Sequence, residues 1–385
     1  MSDGNSVCYL DNASTSYPKP ELVHDRISFH ARNDYGSNNR SISEKLDRKG
    51  SVSDITRRML SELINCEPDE VYFTSGATES LNYLIFGLLE RGDHVITSPW
   101  EHNAVTRPLN YLKEEREVSV SVCQASLDSD FDVQQIIEMI QPNTRLVIMN
   151  HVSNVLGIEA PINEIGEIIS RYPNVIFAVD ASQSIGSIPI DINKAKIDFL
   201  AFPGHKSLLG PAGIGGFYLS SFCKAKLKPI KFGGTGVKSI EPVMVEDGPH
   251  KFEVGTPNML GIVGLSGALE YLSEVGVASV EKHIKSLTNR LIARLKSMDH
   301  VETYLPESGT PHGVVSINIP PLSAKDLSSV LLEEFNIVTR DGFHCAVGAH
   351  QIANSYPQGS VRISIGTMTT SKDVDYFCDS LDLIK

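Results

Sequence analysis

Along the first two thirds of the chain, short runs of continuous apolar residues alternate with stretches whose apolar residues recur at helical spacing. Residues 70–76, EVYFTSG, read as a strand ending in a turn. In the ATESLNYLIFGLLERG that follows, Leu81, Leu84, Ile85, Leu88 and Leu89 share one helical face before a glycine stop. Further apolar runs lie at 94–98, 144–153, 175–182, 198–203 and 215–220, mostly separated by helix-length segments such as 132–141 and 162–171. Strands that are apolar throughout suit a sheet covered on both faces by helices. The pattern therefore predicts an α/β fold with a mainly parallel sheet. Over 228–258 the rhythm gives way to a Gly-rich stretch, expected to be a domain junction or an active-site loop. Beyond it come a long helical stretch from 259 to 298, GVVSINIP, a helix near 323–334, FNIVTRDG, SVRISIG and a closing helix. These read as a smaller α+β C-terminal domain. The expected division is an N-terminal segment 1–20, a large domain 21–257 and a small domain 258–385.

Composition narrows the partners. Among 385 residues, 47 acidic against 34 basic give a formal charge of -13, with no run rich in Lys and Arg, so a nucleic-acid footprint is missing. No basic segment leads into an apolar one at the start, and no apolar run is long enough to span a membrane. A cytoplasmic protein is the expectation. Cys8, Cys66, Cys123, Cys223, Cys345 and Cys378 are scattered without C-x-x-C pairs, which suits reduced thiols.

Three places carry candidate chemistry. In TSGATES (74–80) a strand meets a helix N-terminus, where backbone N–H groups and the helix dipole can hold an anion, Gly76 permits close approach, and Ser75 and Thr78 add hydroxyls. An ordinary capped helix start has the same look. Asp180 ends the strand VIFAVD, at the sheet edge where open α/β folds bind ligands, with Gln183 a short turn onward. Alternatively it caps the next segment. Lys206 follows the run DFLAFP by three residues and so stands near the same edge, beside Asp180 if the two strands are neighbours. Desolvation there lowers a lysine's pKa and lets it form a Schiff base with a carbonyl. The surrounding glycines make neither a Walker motif nor a dinucleotide fingerprint.

An anion cradle, a carboxylate for a pyridinium nitrogen and a Schiff-base lysine together are what pyridoxal 5'-phosphate needs. His102 is the candidate to stack on the ring, with Trp100 a weaker one, and Asn154 can reach the ring oxygen.

The stretches YLDNAST, TSGATESLN, EHNAV, HVSNVLG, VDASQS, GHK, FEVGTPN and RDGFHCA, in order and spacing, resemble the class V aminotransferase family of fold type I, most closely the cysteine desulfurases. The resemblance covers nearly the whole chain. It implies Lys206 as the cofactor-bearing lysine, Asp180 as pyridinium partner, Gln183 and Asn154 at the ring oxygen, and His102 stacked on the ring. Ser75, Gly76, Ala77, Thr78 and His205 would surround the phosphate. It further implies a homodimer in which Thr256 reaches the neighbouring subunit's phosphate, and a substrate site with Arg362 on the α-carboxylate and Asn12 nearby. Two departures stand out. Pro203 occupies a place where relatives usually carry Ser or Thr, and Val347-Gly348 follows Cys345 where many read Pro-Leu or Pro-Met.

The implied reaction takes sulfur from L-cysteine onto Cys345 as a persulfide and leaves L-alanine, with Lys206 moving the α-proton and His102 assisting. Arg340 and His344, as cations, would favour the Cys345 thiolate. A sulfur-accepting protein is then an expected partner. A C–S lyase, a transaminase or an epimerase would keep Lys206, Asp180 and Arg362 without needing Cys345, which could instead be a structural thiol. A scaffold with a dead site is disfavoured, since all cofactor positions but one hold suitable residues. A metal site from His344, Cys345 and His350 lacks a fourth ligand, so no metal is expected.

Overall fold

A computed structural model describes residues 7–33, 51–235, 240, 243–246 and 248–384. Parts of two expected units, 1–6 of the N-terminal segment and 236–239, 241–242 and 247 of the Gly-rich stretch, lie outside the described residues.

The chain enters through a short strand, β1 (Cys8–Tyr9). A larger sheet follows from β2 (Val71–Thr74), β3 (His94–Thr97), β4 (Ser119–Val122), β5 (Thr144–Asn150), β6 (Ile176–Asp180), β7 (Phe199–Pro203) and β8 (Gly215–Leu219). Its order is β2-β8-β7-β6-β5-β3-β4. Only β8 runs antiparallel to its neighbours, so the sheet is mainly parallel as expected. Every residue of β2, β3, β6, β7 and β8 is buried, because helices cover both faces. The edge strand β4, SVSV, was missed by the sequence reading. Its residues are exposed or half-buried, so no apolar run marks it.

The helical stretch expected over 259–298 is two helices, Met259–Val275 and Val277–Leu295, bent by 79° at Gly276. Gly276 has φ of +80°, which glycine adopts without steric cost. Both helices pack into the core cluster that also takes one face of the large sheet. A second cluster lies between the other face and the helices Ala77–Leu88 and Asn103–Glu115.

Beyond the bent pair, β9 (Glu302–Thr303), β10 (Val314–Asn318), β11 (Ile337–Val338), β12 (Arg340–Gly342) and β13 (Ser360–Ser364) complete the strands. An antiparallel sheet runs β12-β13-β10-β9, and β11 pairs instead with β1 in parallel. The run FNIVTRDG therefore divides at Thr339 between two sheets. Through β1 and a bridge from Asp11 to Ser364, the N-terminal segment is stitched to the small sheet. A few residues on, Ser16 N–H donates to the His205 carbonyl at 3.0 Å, so the same segment touches the edge of the large sheet.

Candidate active site

At the carboxyl edge of the large sheet lies a cavity of about 210 Å³, lined by the turn 75–78, His102, Asn150, Asn154, Asp180, Gln183, Pro203, His205 and Lys206. Ten of the residues assigned a site role from the sequence thus share one space. Four do not line it: Asn12, Thr256, Cys345 and Arg362.

The floor follows from strand pairing. Strands β6 and β7 are parallel neighbours with Asp180 opposite Ala201, which sets Lys206 beside Asp180 at the end of β7. Asp180 is buried, and its Oδ1 accepts from the Ser182 N–H at 2.9 Å and the Ser182 hydroxyl at 2.5 Å. No described residue donates to its other oxygen. Burial lowers the Lys206 amine to about 8; Asp180 opposes this and Arg362 and Arg340 reinforce it. The turn carrying Lys206 is held by a residue the sequence reading missed. Lys19 Nζ donates to the His205 carbonyl at 2.7 Å, as does the Thr15 hydroxyl at 3.0 Å. Burial with the nearby charges of Lys206 and Lys19 lowers the His205 imidazole to about 4, so it is neutral.

Around the turn 75–78 the expected donors divide. Gly76, at φ 154° and ψ 177°, occupies a region open essentially to glycine, and the helix Ala77–Leu88 begins directly after it. Among the described residues nothing accepts from the N–H of Ala77 or Thr78, the open donors of a helix start. Ser75 lines the cavity with its N–H and hydroxyl both donating to Glu79 Oε2 at 2.7 Å. Neither is free for an anion. Pro203 ends β7 on the cavity wall and brings no hydroxyl.

His102 caps the helix Asn103–Glu115, its Nδ1 accepting the Ala104 N–H at 3.0 Å. Burial lowers its pKa, partly offset by Asp180, so the ring is neutral with its proton on Nε2. That geometry makes it a hydrogen-bond donor toward the cavity and opposes its use as a base. Trp100 is no ring partner: wholly buried, it donates Nε1–H to the Asn150 carbonyl at 3.1 Å. Behind it, Glu101 went unnoticed in the sequence. Its buried carboxyl accepts from the Ser98 hydroxyl at 2.6 Å and the Asn150 N–H at 2.7 Å, and burial, reinforced by Asp180, pushes it up to about 8.

Several side chains assigned to ligands already have partners. Gln183 Nε2 donates to the Ala13 carbonyl at 3.0 Å and Asn154 Nδ2 to the His344 carbonyl at 2.7 Å, each keeping one N–H in reserve. Asn12 shares a second, small cavity with Gln183 and Lys206. It donates to the Ser364 carbonyl at 2.9 Å and ties the N-terminal segment to β13. Arg362, buried on β13, already holds a carboxylate: its Nη2 donates to Asp11 at 2.7 Å and to the Ser14 hydroxyl at 2.8 Å, and Nη1 to the Asn154 carbonyl at 3.2 Å. Its Nε is buried without a partner and, with the second N–H of Nη1, remains for a second anion. Asp11 stands in the quoted YLDNAST, yet no spacing links it to residue 362. Thr256 is exposed and lines a neighbouring cavity that shares Ser75 and Glu79 with this one.

Cys345 is half-buried, outside the cavity lining. It and His344 both take left-handed backbone conformations, φ +58° and +51°, which costs roughly 1–2 kcal/mol per residue and must be compensated by contacts. The Cys345 carbonyl accepts the Asn103 N–H at 2.7 Å, directly after His102. The departure at 348 has a steric reason, since a Cβ on Gly348 would sit 2.1 Å from the Pro99 carbonyl oxygen. A leucine or methionine could not dock there. His344 corrects the idea of a cation beside the thiol: burial, with Arg362 nearby, lowers it to about 3, and its ring turns to His350 rather than to Cys345.

The cavity suits pyridoxal phosphate on its own evidence. Asn150 Oδ1, Asn154 Oδ1 and His205 Nδ1 line it as buried polar atoms without partners, beside the open N–H groups of 77–78, the Asp180 carboxylate and the Lys206 amine. A phosphate, a pyridinium and a carbonyl each find a complementary group. A lysine and a carboxylate so arranged at the edge of a mainly parallel sheet define a pyridoxal-phosphate-dependent enzyme of fold type I. A family model for aminotransferase class-V matches residues 8–377, and the chain belongs to that family. It is 32% identical over 383 residues to a probable cysteine desulfurase of Pyrococcus abyssi and 33% identical over 383 residues to one of Methanothermobacter thermautotrophicus, covering 98% of this chain and 94% of the relative in each case. An apo cysteine desulfurase structure from Thermococcus onnurineus NA1 superposes with a TM-score of 0.90 at 29% identity, covering 98% of this chain and 94% of that one.

Proposed function

We propose that this chain is a cysteine desulfurase, converting L-cysteine to L-alanine and carrying the sulfur on Cys345. The observation that carries the reading is the hydrogen bond from Asn103 to the Cys345 carbonyl, which ties a loop cysteine to the residue following His102, itself part of the lining of the Lys206 cavity. A lyase, transaminase or epimerase has no use for a thiol there.

Asp180 and Lys206 would hold the pyridine nitrogen and the carbonyl carbon of pyridoxal phosphate, and the N–H groups of Ala77 and Thr78 its phosphate. When bound, that cofactor supplies an electron sink for charge developing at the substrate's α-carbon. Lys206, with its pKa lowered to about 8, has an appreciable neutral fraction near neutrality and serves as the base that moves the α-proton. His102 donates from Nε2 and stays neutral. Arg362 Nε orients the substrate carboxylate, while Asp11 keeps the guanidinium in place. Cys345 Sγ bonds to the substrate sulfur as the Cβ–S bond breaks, and that bonding pair stays with the carbon skeleton that leaves as alanine.

The reading also includes a homodimer, in which exposed Thr256 serves the partner's phosphate site, a sulfur-accepting protein that collects the persulfide, and a cytoplasmic setting, where six free cysteines stay reduced. Incubation with L-cysteine tests the reaction: alanine and a Cys345 persulfide are expected, whereas pyruvate with free sulfide would establish a C–S lyase. Mixing Lys206→Ala with Thr256→Ala subunits tests the dimer, because restored activity requires a shared site.

A further inference from the structure

Behind Cys345 runs a chain of side chains that the reaction does not use. His344 Nε2 lies 3.1 Å from the Arg340 carbonyl, which can only accept, so Nε2 carries the proton. Its Nδ1, 3.2 Å from His350 Nε2, must then accept, and His350 is the donor. On the far side, His350 Nδ1 lies 2.8 Å from Ser355 Oγ, whose hydroxyl supplies the last proton. The direction is fixed throughout: Ser355 to His350 to His344 to the backbone of β12. All three side chains are buried, the two rings lie within 19° of one plane, and Phe343 packs edge-on against His350 at 5.5 Å. A neutral state of both rings is what this order needs, and burial provides it, lowering His350 to about 4.

We infer that His350 is a positioning residue for the Cys345 nucleophile, acting through His344 to hold the 344–345 turn in its left-handed conformation. The turn is closed by the Ala346 N–H donating to the Phe343 carbonyl at 2.9 Å, and side chains brace it from outside. His344 is pinned by its ring, on His350 and on the Arg340 carbonyl, and by Asn154 on its own carbonyl, and Cys345 by Asn103, so cutting the His350 contact removes, among the described residues, the one side-chain hydrogen bond that reaches the turn from the C-terminal side. Without that brace the turn is held less tightly in its left-handed conformation, and Sγ gains access to solvent. This assignment rests on the desulfurase reading only for its kinetic part.

The test compares His350→Leu, which removes the donor, with His350→Gln, which keeps one. In His350→Leu, alkylation of Cys345 by iodoacetamide, followed on its own peptide, is expected to rise about tenfold, while kcat for alanine formation falls about thirtyfold at unchanged KM. The absorbance of bound cofactor should not change. His350→Gln should return both rates to within about threefold of the parent. Ser355→Ala, which only frees the His350 tautomer, should move both rates in the same directions by less, and it carries the test if His350→Leu does not fold. Alkylation within twofold of the parent in His350→Leu, or equal behaviour of the Leu and Gln variants, would overturn the assignment. If the parent protein makes no alanine but the alkylation pattern holds, the desulfurase reading fails and the positioning role stands.

Discussion

The cofactor cradle and the cysteine loop are held in place by different means. Asp180, Lys206 and the turn 75–78 are fixed by the ends of paired strands, and around them Asn150 Oδ1, Asn154 Oδ1 and His205 Nδ1 are left without partners. His344 and Cys345 are fixed by side-chain hydrogen bonds over a left-handed backbone, with the buried imidazoles fully engaged. A strand end needs only its ladder to aim a side chain, so the cradle can spend its polar groups on a ligand. The loop has no ladder and must spend them on itself.

The sharpest way to break this contrast is to remove the cradle's amine. Lys206→Ala should abolish turnover and the borohydride-trapped cofactor adduct, because among the described residues no other lysine follows a sheet-edge strand beside Asp180. An adduct on a different lysine would sink the assignment. Next comes the loop's own nucleophile. Cys345→Ser should keep the cofactor absorbance yet lose alanine and persulfide formation by about a thousandfold or more, since a loss of only tenfold is about 1.4 kcal/mol. Sulfide and pyruvate at the parent rate would show that the loop is not part of the chemistry.

A smaller effect is expected from crowding the loop while sparing its polar ties. Gly348→Leu drives a side chain into the Pro99 carbonyl, and overpacking of this kind costs about 1–3 kcal/mol. Thermal unfolding should register that loss, and alanine formation should fall with cofactor binding retained. Unchanged values for both would mean that the loop yields without strain. The mildest probe is pH. Because Lys206 is lowered from 10.5 to about 8, its neutral form grows as pH rises, so the rate of covalent cofactor capture by apo-protein should climb through about pH 8 and level off above it. A rise continuing to pH 10 would mean that the amine is not desolvated.

What the sequence determined by itself is the cradle. Continuous apolar strands ending in Asp180, before Lys206 and before the TSGAT turn specify a covered sheet, and strand geometry then delivers those residues to one edge. The breaks in that reading are equally physical: β4 has no buried face to mark it, and Gly276 bends a stretch whose apolar period runs on past it. Only the tertiary structure decided who bonds to whom. Ser75 gives its donors to Glu79, Arg362 is met by Asp11 from the far end of the chain, and His344 is neutralised by burial against His350 instead of charging the thiol. Even Glu79, four residues from Ser75, competes with a ligand in a way that spacing does not show. A hydrogen bond is satisfied by whichever partner the packed chain brings within about 3 Å, and that distance is set by sheets, helices and burial together, not by position along the sequence.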